Sequence, residues 1–207
     1  MKRRYAVVVV ALAWSGVVYA QDTSMSFFVT SVNPGKGGDL GGLQGADAHC
    51  DTLAKAIGST GKTWKAYLST DTENAKDRIG GGPWYNAKGE KIADDVASLH
   101  GDKNNLTKQT ALNEKGEIIN GRGDTPNRHD ILTGSKADGT AAAETCGNWT
   151  MGGADGAAIV GHSDRTGLND SVEAKSWNAS HPTRGGCTVE AFKGTGGEGL
   201  FYCFAAD

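Results

Sequence analysis

The sequence predicts an α+β domain with few helices and long polar loops. Three observations lead there: one stretch with helical apolar spacing, several short strand candidates separated by turn residues, and 31 glycines in 207 residues, a high content for a globular chain. Glycine at that level implies many tight turns and loops.

The first 20 residues read as a secretory leader. Lys2, Arg3 and Arg4 precede an apolar run of about a dozen residues, and Val18-Tyr19-Ala20 puts small residues where a signal peptidase needs them, so cleavage is expected after Ala20. The run is shorter than the roughly 20 apolar residues that span a bilayer, and no later segment reaches that length. Cleavage removes three positive charges and no negative ones, which moves the formal net charge from −3 to −6. A modestly acidic chain argues against nucleic acid or an anionic membrane as partner. Residues 21–207 are long enough for one domain with a real core. The expected location is secreted, periplasmic or cell-surface.

Along the chain, Ser26-Phe27-Phe28-Val29-Thr30 reads as a strand and 33–42 as a glycine-rich loop. From Ala46, apolar Cys50, Leu53, Ala54 and Ile57 recur at helical spacing, and Gly58 supplies a stop. Trp64, Ala66 and Leu68 alternate with polar or exposed positions, as in a half-buried strand. Asn86-Ala87-Lys88-Gly89 separates two halves of a hairpin, and Asp95 caps a short helix through Leu99. Residues 101–128 are polar and read as an excursion outside the core. Strand candidates follow at 130–133, 148–151, 158–160 and 200–204, with a long polar stretch between His162 and Gly186.

Cys50, Cys146, Cys187 and Cys203 form an even set without a C-x-x-C pair, so two disulfides are expected in an exported chain, not a zinc ribbon or a redox motif. Spacing alone leaves three connectivities open.

Three stretches carry a resemblance. GGLQGADAHCDTLAKAIGSTGKTWKAYLST resembles the opening of the endostatin domain of certain collagens, DRIGGGPWYNAKGEKI its central strand pair, and ILTGSKADGTAAAETCGNWT with the late GLFYCFA its closing half. The same combination marks a group of bacterial exported proteins described as lectin-like. The resemblance covers nearly all of residues 21–207. It implies a C-type-lectin-like, endostatin-like fold: a twisted antiparallel sheet with one or two helices, long loops and two nested disulfides. It also implies the pairing Cys50 with Cys203 and Cys146 with Cys187.

Common enzyme signatures are missing: no G-x-S-x-G elbow, H-E-x-x-H helix or P-loop occurs, so a non-catalytic role is expected. Gly194 to Gly199 match G-x-G-x-x-G but precede a strand, so they read as a turn. Arg122-Gly123-Asp124 reads as ordinary loop. In folds of the resembled type the long loop binds ligands, which points to His162, Asp164, Trp177, Asn178 and His181. Trp177 would offer a flat apolar face to a sugar ring, with the others as polar partners. No cofactor is expected. Calcium enters only through the hard oxygens of Asn and Asp, since the tripeptide motifs of calcium-dependent lectins are absent and Ala179 follows Trp177-Asn178. No metal ligand is assigned: the histidines of the endostatin zinc site have no counterpart between Gln21 and Ala48, and the arginines are scattered. The expected function is an exported recognition module for carbohydrate, its partner a glycan or an envelope or extracellular protein. The alternative is a structural or assembly protein that packs against partners or itself.

Overall fold

In the computed structural model, residues 25–207 are described; the leader and its cleavage position lie outside them. The elements in chain order are β1 (Phe27–Val29), α1 (Gly42–Ala56), β2 (Trp64–Ala66), β3 (Trp84–Tyr85), β4 (Lys91–Ala93), α2 (Val96–His100), β5 (Asp130–Leu132), α3 (Cys146–Trp149), β6 (Ile159–His162), β7 (His181–Pro182), α4 (Val189–Thr195) and β8 (Gly197–Ala205).

The main sheet runs β1-β8-β5-β6-β7, with β2 also paired to β8, while β3 and β4 form a separate hairpin. β8 is its axis. Phe204 and Cys203 pair with β1 and also with β2, so these two short strands must lie on opposite edges of β8. The strand's alternation sorts the core into two layers. Phe201, Cys203 and Ala205 face one layer with Phe28, Trp64, Ala66 and the α1 residues Ala46, Cys50 and Ala54. Leu200, Tyr202 and Phe204 face the other, with Phe27, Val29, Trp84, Ile131 and Trp177. A strand covered on both faces reads as a continuous apolar run, which is what Leu200 to Ala205 present.

Local chemistry places the flanking elements. Gly58, at φ +81°, ends the turn after α1, a conformation that glycine adopts without penalty. Asp95 caps α2 by accepting from the Ser98 N–H at 2.7 Å, and Ser98 returns a bond to the Asp95 N–H at 3.0 Å. The two disulfides join Cys50 to Cys203 and Cys146 to Cys187, with Cα separations of 5.7 and 5.9 Å.

The structure departs from expectation in four places. Four helical segments occur among the described residues where one or two helices were expected, one of them the left-handed turn at 146–149. The sheet is mixed, because β5 runs parallel to β8. The strand expected at 148–151 is instead a left-handed turn with positive φ at Cys146, Gly147, Asn148 and Trp149. Thr145 caps it by accepting from the Asn148 N–H at 3.0 Å, the disulfide holds Cys146, and buried Trp149 donates from Nε1 to the Ser69 carbonyl at 2.7 Å. Tertiary anchors thus override the strand propensity of Trp and Thr. Finally, 101–128 contributes to the core: Leu106, Ala111 and Ile119 belong to the second layer. Its polar side chains are spent on internal turns such as the one closed by Asn113 and Glu117, which hide the apolar positions from a periodicity reading.

The loop lengths set the weight of each disulfide. Sequence separations of 153 and 41 residues give about 5 and about 4 kcal/mol on the chain-entropy estimate. Replacing both Cys50 and Cys203 with Ala should therefore cost more in chemical denaturation than replacing both Cys146 and Cys187. The reverse order would show that native strain, not loop closure, governs the outer bond.

Candidate functional site

The far end of the main sheet gathers four titratable side chains. Register sets Asp130 of β5 directly opposite His162 of β6, and His181 of β7 opposite Val160, one pleat repeat away. His129 lies just before β5, where it is not bound by the alternation of the strand. The chain returns close beside β6: the His162 N–H donates to the Ser176 carbonyl at 2.8 Å and the Ser180 N–H to the Val160 carbonyl at 2.7 Å. Only glycine fits at Gly161, because a Cβ there would overlap the Trp177 carbonyl.

Three imidazole Nε2 atoms converge on one carboxylate oxygen. Asp130 Oδ1 lies 3.2 Å from His129 Nε2, 3.3 Å from His162 Nε2 and 3.7 Å from His181 Nε2. His162 Nε2 and His181 Nε2 are 3.0 Å apart. The rings of His129 and His162 stack with centroids 4.2 Å apart. Despite the short distances, neither oxygen of Asp130 has an aligned hydrogen bond among the described residues, although its side chain is only 2% exposed. A buried carboxylate without partners is costly unless something compensates its charge.

The other ring nitrogens are all engaged by oxygen. His129 Nδ1 donates to Asp164 Oδ1 at 3.0 Å, His162 Nδ1 to the Ala174 carbonyl at 2.7 Å, and His181 Nδ1 to the Pro182 carbonyl at 3.1 Å. These acceptors assign the proton to Nδ1 and leave the Nε2 lone pairs facing inward. Asp164 is itself braced by the Arg122 N–H at 2.7 Å and the Thr166 N–H at 3.0 Å. Burial works against its ionisation, but the hydrogen bonds from His129, Arg122 and Thr166 outweigh it and hold the carboxyl below its usual range. Asp164 therefore ties the Arg122 loop and its own loop to the cluster.

The expected site residues divide. His162, Asp164 and His181 come together, whereas Trp177 and Asn178 belong to the core. Trp177 is 3% exposed, with ring centroids 4.9 Å from Tyr67, 5.3 Å from Tyr202 and 5.7 Å from His100. No face is left for a sugar ring. The polar surroundings of Trp177 in sequence suggested a solvated loop, but the segment folds inward against Tyr202, whose hydroxyl donates to the Trp177 carbonyl at 2.9 Å. Asn178 is equally enclosed: its amide donates to Tyr67 Oη at 3.0 Å and to the Lys136 carbonyl at 3.1 Å.

His129 and Asp130 were missed because they sit at the start of a strand and match no spaced motif; only the strand register makes them neighbours of His162. Beside the cluster opens a cleft of about 410 Å³ whose lining includes Arg122, Asn127, His129, His162, His181 and Arg184. Leu168 also lines it and is 84% exposed, with Val172 nearby in sequence at 80%. Neither the protein-family models nor the curated proteins include a match to this chain.

Two tests follow from the inward fold of this segment. Replacing Trp177 with Ala should cost about 3–5 kcal/mol and lower Tm by at least about 6 °C, because it empties a packed aromatic site; a shift of a degree or less would return Trp177 to the surface. The Tyr67 network also sets a pH window. Burial pushes the Tyr67 and Tyr202 phenols well above their usual range and pushes His100, which accepts from Tyr67 at 2.7 Å, below its own. A raised phenol stabilises below the unfolded value and loses that contribution as pH rises past about 10; a depressed His loses it as pH falls below about 6.5. Denaturation midpoints across pH should fall at both ends, and Tyr67→Phe should blunt the alkaline fall.

Proposed function

We propose that this chain is an exported, non-catalytic recognition module of the C-type-lectin-like, endostatin-like type, with carbohydrate as its ligand class. The pairing of Cys50 with Cys203 and Cys146 with Cys187, which the resemblance implies, supports the fold assignment. Two disulfides and no free cysteine among the described residues are compatible with an oxidising, extracellular location.

The observation that carries the reading is the composition of the cleft. Its lining offers directional polar groups, namely Arg122, Asn127 and Arg184, and beside them the apolar side chain of Leu168. A sugar presents hydroxyls on its edge and C–H groups on its face, so a polar wall beside an apolar rim matches both. The ligand contacts therefore move from Trp177 to Leu168 and the cleft residues. The exposed pair Leu168 and Val172 equally favours the second reading, an assembly surface for a protein partner.

A glycan array separates the two. The wild-type protein should bind a defined glycan subset. Leu168→Asp and Arg184→Ala should each weaken that binding by about tenfold or more, equivalent to about 1.4 kcal/mol, while leaving Tm within a few degrees. An array without binders, together with a stable oligomer that Leu168→Asp dissociates, would replace carbohydrate recognition with assembly.

A further inference from the structure

We propose that His129, Asp130, His162 and His181 form a site for a divalent transition metal of the zinc class, which locks the 163–180 loop onto the sheet. The proposal goes beyond the recognition reading and stands whether or not the cleft binds sugar.

Distances are the first support. Metal–ligand bonds of about 2.0–2.1 Å directed to the corners of a tetrahedron place neighbouring donor atoms about 3.3 Å apart. The measured separations are 3.0, 3.2, 3.3 and 3.7 Å. The candidate donors of His129, Asp130 and His162 all lie within 4.8 Å of one another, and all three residues are buried. His181, whose side chain is 35% exposed, completes the set from the cleft side.

Hydrogen bonding is the second, independent support. With Nδ1 of all three rings donating to oxygen, each neutral imidazole keeps a lone pair on Nε2; the rings of His129 and His162, stacked within 5° of parallel, must tilt apart for both lone pairs to meet one ion. Two lone pairs 3.0 Å apart repel, and a hydrogen bond between His162 and His181 would need one ring to carry two protons. A cation between them removes that conflict. It also supplies a partner for Asp130 Oδ1, one of the two oxygens of that carboxylate without a hydrogen bond among the described residues. Asp130 brings one negative charge and the histidines none, so a divalent ion leaves the centre with a single positive charge.

The surroundings are those of a metal site. His129 is held by the Asp164 carboxylate, the arrangement that orients a ligating imidazole and raises its basicity. Three imidazoles and one carboxylate favour zinc and its borderline neighbours over calcium or magnesium, which prefer oxygen throughout. Four protein donors leave no vacant position in a tetrahedral shell, so the role is structural. The ion bridges β5, β6 and β7 at the two ends of the loop that borders the cleft.

Zinc uptake by the purified protein tests this directly. After dialysis against a chelator, titration with zinc chloride should show one ion per chain with an apparent Kd of about 1 μM or tighter. Zinc at a hundredfold excess over that Kd should raise Tm by about 5–10 °C. Asp130→Asn keeps the side-chain shape and should weaken uptake at least about hundredfold. Asp164→Asn, a positioning change, should weaken it about 10–100-fold. His49→Ala, on α1 and away from the cluster, should bind as the wild type does. Cobalt in place of zinc should give the visible absorption of a low-coordinate nitrogen and oxygen site. Should Asp130→Asn prove insoluble, the Asp164→Asn titration and the cobalt spectrum decide. The proposal is overturned if the wild type takes up no zinc, if the Asp130 and Asp164 variants bind like the wild type, or if the bound cobalt has the spectrum of an all-oxygen surface site.

Discussion

β8 is the constraint on which the rest of the structure depends. Its nine residues pair with β1, β2 and β5, and its two faces divide the core into separate apolar layers. The bond from Cys203 to Cys50 fixes helix α1 over one of those layers, so the first helix and the last strand of the described chain act as one unit. A charged residue anywhere between Leu200 and Phe204 would face an apolar layer whichever way it pointed. The short strands around β8 bury enough apolar surface only because each leans on this one long strand.

From that axis the sheet steps outward through β5, β6 and β7, and its character changes along the way. Along β5 and β6 the paired residues pass from Leu132 and Val160, with Phe201 beside Leu132, to Asp130 and His162, while His181 joins from β7 opposite Val160. The same cross-strand register that packs aliphatic side chains in the middle brings ionisable ones together at the edge. Proximity to the core keeps His129, Asp130 and His162 dry, and dryness gives an unpartnered carboxylate its energetic weight.

The loop after β6 shows how one segment serves two ends. Trp177 and Asn178 anchor it inward through Tyr67, Tyr202 and the backbone of Lys136. Leu168 and Val172, farther from those anchors, stay in solvent. The cleft is therefore bordered by a loop whose base is packed into the core and whose tip is exposed.

The sequence by itself determined the parts that local chemistry controls. The helical spacing around Cys50, the strand that starts at Trp64, the hairpin at Asn86 to Gly89 and the Asp95 cap all appear where the residues place them, since each depends on neighbours within a few positions, although the alternation ends at Ala66, and Tyr67 and Ser69 are buried. The polar members of the site, His162, Asp164 and His181, were legible as unusual chemistry in one long stretch. Tertiary structure decided what lies between distant positions. It turned 146–149 into a left-handed turn, made 101–128 part of the core and put Trp177 inside. It also set Asp130 and His129 against His162. Strand register across a separation of 32 positions leaves no periodic mark in a sequence, because it is fixed by the pairing partner and not by the strand itself.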